Sequence, residues 1–188
     1  DDIPRRMVSK YTYVPVPMTN YIGKQTRKKK GKSIVFLGSI APEHGYDMLY
    51  TVFKRLLKVM PALRLIIIGS GERAVEFVRQ YTREGLAKSI EYKGFIADNR
   101  HVLSIISEAS VGVCLYNPAV YKNLAFGQSS KITNYIACGL PIILTGTKEN
   151  MPSLASYVRR YQAGFVLRYN EEQVYRSLKR LLTNEDLY

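Results

Sequence analysis

With 188 residues, 46% apolar and 23% charged, the chain suits one well-filled globular core and excludes a disordered or fibrous class. No apolar run approaches the ~20 residues of a membrane span, and no apolar segment follows Arg5 and Arg6 to make a secretory leader. Twenty-eight Lys and Arg against 15 Asp and Glu leave a net charge of +13, which favours anionic partners such as nucleotide phosphates, nucleic acid or an anionic membrane face.

In chain order, residues 1–32 show no steady periodicity, and a start on Asp1 reads as a piece of a longer protein. Residues 10–17 alternate but carry Pro15 and Pro17, so they read as an extended interdomain segment. Residues 23–32, with Lys24, Arg27, Lys28, Lys29, Lys30 and Lys32, read as a basic linker. The domain expected from this is 33–188, with 1–32 an interdomain strand and linker.

From Ser33 apolar strands alternate with amphipathic helices. Strands are expected at 34–37, 63–68, 89–93, 111–116, 142–144 and 164–167, most bounded by a glycine. Helices are expected at 46–60, 73–81, 99–109, 131–138, 154–161 and 171–182. The alternation implies an α/β fold: a doubly wound, mainly parallel six-stranded Rossmann-like sheet with helices on both faces. Right-handed crossovers then gather the functional loops at the carboxyl ends of the strands. Cys114 and Cys138 lie inside these apolar patterns and read as buried reduced thiols of a cytosolic protein, with neither metal spacing nor a disulfide framework.

The stretch 128–145 organises the rest. Ser129 and Ser130 offer an N-cap, Gly139 a left-handed stop, Pro141 follows, and Ile142, Ile143 and Leu144 form a buried strand. Lys131 stands in the first turn, where a cation is unfavourable for an isolated helix. An anion at that helix start would explain it, because unpaired N–H groups and the positive end of the dipole point there; a solvated lysine is the other reading.

Gly69-Ser70-Gly71-Glu72-Arg73-Ala74 fits G-x-G-x-x-A after a strand, with Glu91 20 residues beyond Gly71, which suggests a dinucleotide site. It follows the second strand rather than the first, however, and Glu91 falls inside a strand.

Read as a series, 36–45, 66–72, 92–96, 108–113 and 129–143 resemble successive motifs of the group 1 (GT-B) glycosyltransferases. The resemblance covers about 32–182, the C-terminal, donor-binding half in that family. It implies retaining, metal-independent transfer of a hexose from a UDP- or GDP-linked sugar. The expected product is a cell-surface polysaccharide or glycan precursor, and no cofactor is expected beyond the nucleotide sugar. Its implied donor-binding residues are Gly38, Ser39, His44, Gly45, Phe95, Ile96, Ser129, Ser130, Lys131, Ile132, Thr133 and Asn134, with Lys131 and Asn134 nearest the chemistry. The family's first loop carries an arginine and a lysine where Ser39 and His44 stand. Its E-x7-E pair falls on Phe126 and Asn134, leaving Lys131 as the main cation and Asn134 to meet a ribose hydroxyl. Tyr116, Tyr121, Asn123 and Glu149 are further candidates to face the sugar.

The implied partners are the nucleotide sugar, an N-terminal acceptor-binding domain absent from this chain, and an anionic membrane at the inner face of the cell, with no nucleic acid. The fragment alone is then expected to be inactive. Two other classes stay open on the residues alone: an NAD(P)-binding oxidoreductase domain and a non-catalytic basic interaction domain.

Overall fold

The computed structural model describes residues 32–120, 129–146 and 152–184. The basic segment before Lys32, and Tyr121, Asn123, Phe126 and Glu149, lie outside the described residues.

Among the described residues the strands are β1 (Ser33–Leu37), β2 (Arg64–Ile68), β3 (Ile90–Tyr92), β4 (Val111–Leu115), β5 (Ile142–Thr145) and β6 (Gly164–Leu167). The α-helices are α1 (Tyr46–Leu57), α2 (Ala74–Arg83), α3 (Asn99–Glu108), α4 (Ser130–Ala137), α5 (Pro152–Arg160) and α6 (Glu171–Thr183). Every strand pair is parallel and the order is β3-β2-β1-β4-β5-β6. The chain winds outward from β1 to β3, crosses back over the sheet through α3, and continues from β4 to β6.

Alternation along the strands divides the core into two layers. Ile34 and Phe36 of β1 face α1, α2 and α6, packing with Phe53, Phe77 and Leu178. Val35 faces the opposite layer, where Ile106 of α3, Tyr135 of α4 and Val158 of α5 cover it. Strands buried on both faces explain the near-continuous apolar runs in the sequence.

A short 3-10 turn, Pro42–His44, precedes α1 and was not expected from the sequence. Pro42 opens it and Gly45 closes it at φ 61°, where a side chain would also run into the Leu115 carbonyl.

The doubly wound order leaves a crevice between β1 and β4, where the direction of winding reverses. Beyond the Phe36–Val113 pair these two strands no longer match registers, so the Leu37 N–H has no partner in β4. The buried Tyr135 phenol fills the gap. Its oxygen accepts from Leu37 N–H at 3.0 Å and lies 3.3 Å from the Val35 carbonyl. Room for that ring comes from Gly112, where a Cβ would lie 2.6 Å from it. Burial also holds the Tyr135 hydroxyl far above its usual pKa, so it stays protonated.

Candidate functional site

A cleft of about 650 Å³ runs across the carboxyl ends of β1, β2 and β3 and along one face of α4. Its floor is the run of strand ends. The Gly38 N–H donates to the Ile68 carbonyl at 2.9 Å, Ile40 N–H to Ser70 at 2.9 Å, and Gly69 N–H to Gly94 at 2.7 Å. These bonds prolong the sheet's pairing into its loops.

They also explain the G-x-G pattern at Gly69 and Gly71. A side chain at Gly69 would meet the Gly38 backbone, and one at Gly71 would lie 2.6 Å from the Ile40 carbonyl. The glycines let two loops pack, which accounts for them without a dinucleotide. Glu91 sits in the middle of β3 and pairs with Lys93 rather than facing the cleft.

On α4, Ser130, Thr133, Asn134 and Ala137 face the cleft together with Lys131. Their spacing is one helical face. The same period turns Ile132 the other way. Its side chain is in the core, and its N–H donates to the Ser129 carbonyl at 3.0 Å. The expected cap also differs. Ser129 is the N-cap residue, but its hydroxyl bonds the Tyr116 hydroxyl at 3.0 Å and makes no cap bond. Among the described residues, the Ser130 and Lys131 N–H groups consequently have no acceptor. Both residues line the cleft.

Lys131 reaches over the β1 loop. A Cβ on Gly38, whose φ is 141°, would lie 2.6 Å from the lysine Nζ, so glycine leaves the ammonium its place. The Nζ sits 5.0 Å from the centroid of the Tyr116 ring and 5.7 Å from that of Phe36. Among the described residues no carboxylate lies within ion-pair distance of it. Burial therefore lowers its pKa, with Cys114 and Glu43 pulling weakly the other way. Among the described residues, a cation without a counter-ion thus stands beside two N–H groups without acceptors.

The other expected residues divide. Gly38, Ser39, Phe95 and Ile96 line the cleft, with Phe95 75% exposed. His44 and Gly45 lie behind it, not among its lining residues. The His44 ring packs edge-on against Tyr116, with centroids 5.7 Å apart. Its pKa falls to about 4, mainly through burial and then through Lys131, with Glu43 opposing. It is a neutral neighbour of the cation at neutral pH. Asn134 lines the cleft, as does Thr133, whose hydroxyl donates back to the Ser130 carbonyl at 2.9 Å. Sequence reasoning left Ser70, Gly71, Asn99 and Val102 out of the site, though all four line the cleft. The signal for the first two was the same G-x-G turn at the same sheet edge.

Among the described residues no group of three His, Cys, Asp or Glu could hold a metal, and no helix is long and apolar enough to cross a membrane. Cys114 is fully buried with its pKa pushed up to about 12, so it remains a thiol.

Known proteins share this fold. An uncharacterized glycosyltransferase of Haemophilus influenzae is 28% identical over 165 residues, which cover 86% of this chain and 42% of the relative. This chain thus spans about two-fifths of that protein's length. The C-terminal domain of a glycosyl transferase group 1 family protein (LpcC) from Francisella tularensis has the same fold, with a TM-score of 0.63. It is 20% identical, with 83% of this chain and 77% of that one covered. HepE of Anabaena, solved in complex with UDP, superposes with a TM-score of 0.64 at 16% identity, over 84% of this chain and 40% of that one. The model of the family described as glycosyl transferases group 1 matches residues 31–184, so the chain belongs to that family.

Proposed function

We propose that this cleft holds the nucleoside diphosphate of a sugar donor, and that the whole protein transfers a hexose from it. The observation that carries the reading is Lys131: a largely buried ammonium over Gly38 that, among the described residues, has no carboxylate partner and stands beside N–H groups of α4 without acceptors. The diphosphate sits between the β1 loop and this helix start. As the donor bond breaks, the leaving diphosphate gains charge. A fixed cation and aligned dipoles then favour the transition state over the ground state.

The base lies at the other end, against Phe95 and Ile96. Strands are about 4.8 Å apart, so β3 and β1 are separated by about 10 Å, which leaves room for a ribose between base and diphosphate. Asn134 bonds a ribose hydroxyl, and Ser39 meets the phosphates. The charge that a metal would supply comes from Lys131 and the helix, and transfer proceeds with retention.

The acceptor is bound by a second, N-terminal half, so residues 1–188 alone do not turn over. The product is a cell-surface polysaccharide or glycan precursor, made in the cytoplasm at an anionic membrane. Calorimetric titration with UDP, GDP and their hexose conjugates tests the reading. Saturable one-site binding of at least one of them is expected; heats no larger than dilution for all of them would overturn it.

A further inference from the structure

Asp98 and Asn99 are both good helix-capping residues, yet α3 needs one cap. Asp98 supplies it, its carboxylate accepting from the Arg100 N–H at 2.9 Å. The Asn99 amide is thereby left over. It is exposed, lines the cleft beside Phe95, Ile96 and Val102, and makes no hydrogen bond to any described residue. An amide at the apolar end of a cleft is the kind of group that orients a ligand there.

We propose that Asn99 reads the edge of the donor's base and sets the choice against guanine, so that the donor is UDP-linked rather than GDP-linked. The inference rests on the donor-binding reading above and adds the base and the residue that selects it. An asparagine amide presents one acceptor beside donors. Uracil offers the complement, its N3–H next to the O4 carbonyl. Guanine offers two donors side by side, N1–H and the 2-amino group, which together need two acceptors. A carboxylate would provide them, but none of the described residues lining the cleft is acidic.

Asn99 can take guanine's O6 and N1–H only by leaving the 2-amino group facing Phe95, Ile96 and Val102. With its second donor left without a protein acceptor, guanine should bind about tenfold or more weaker than uracil, whose edge the amide pairs in full. Adenine also places a donor beside an acceptor, so what Asn99 excludes is guanine.

The test titrates the full 188-residue chain with UDP and with GDP, as wild type, Asn99→Asp and Asn99→Ala. A carboxylate at the first position of a helix suits its dipole, so Asn99→Asp keeps its fold, which a thermal melt verifies. Wild type should take UDP about tenfold or more tighter than GDP. In Asn99→Asp that ratio should shrink at least tenfold or invert, and in Asn99→Ala UDP should weaken toward GDP. Equal affinities in wild type, or a ratio unmoved by Asn99→Asp, overturns the inference and leaves the donor site standing. Failure of both diphosphates to bind removes the donor reading and this inference with it.

Discussion

Lys131 shows how one residue carries a conflict between stability and function. Its ammonium is largely buried and has no carboxylate partner among the described residues, so burial works against its charge. Lys131→Met preserves the length of the side chain and removes the charge. A thermal melt should therefore find its midpoint equal to or above wild type, while UDP affinity drops about tenfold or more. A variant that melts lower and binds equally well would mean that the lysine has only a packing role.

His44 sets a pH dependence of definite sign. Its folded pKa of about 4 lies below the ordinary value of 6.5. Between those two values the unfolded chain binds a proton that the folded chain refuses, so stability is lost as the pH falls through that window. Urea midpoints at pH 7 and pH 5 should differ more for wild type than for His44→Gln. Equal differences would place the titration elsewhere.

At the scale of elements, Tyr135 joins α4 to the end of β1. Lys131 stands one turn before it on the same helix, so the phenol that satisfies the Leu37 N–H also sets the height of the ammonium over Gly38. Tyr135→Phe leaves a buried N–H unpaired and should cost about 1–3 kcal/mol of stability by denaturant unfolding, with UDP affinity falling alongside. Gly112→Ala drives a methyl into the Tyr135 ring, and adding Tyr135→Leu should recover part of the loss. If the double variant is no more stable than Gly112→Ala, the contact is not the reason for the glycine.

This pair marks where sequence reading stops. Buried strands between amphipathic helices are local patterns, and the six strands and six α-helices of the described residues were legible to within a few residues. Glycine-ended strands and a lysine in a helix's first turn direct attention to the sheet edge and to α4, whose residues line the cleft. The phenol, by contrast, bonds a residue 98 positions away. Nothing near Tyr135 in the sequence distinguishes it from an ordinary core aromatic. The Ile132 side chain lies off the cleft for a related reason. A motif treats neighbours alike, whereas a helix turns each residue 100° from the last and sends this one to the core. Asn99 escaped notice because its capping neighbour Asp98 makes a polar pair at a helix start unremarkable.

At the scale of the whole molecule, the strand order that opens the crevice also separates the two tasks. The β1–β3 half supplies the glycine floor and the apolar end, and α4, after β4, supplies the cation. The net charge of +13 predicts salt-sensitive binding to anionic vesicles. Co-sedimentation that falls steeply as salt is raised is expected, and binding indifferent to salt would remove the membrane from the account.

On the proposed reading, this cleft takes a nucleoside diphosphate through Lys131. Calorimetric titration of UDP into wild type and Lys131→Met, both confirmed folded, tests it most directly. The account predicts one saturable site in wild type and at least a tenfold loss in the variant; equal affinity in the two proteins would contradict it.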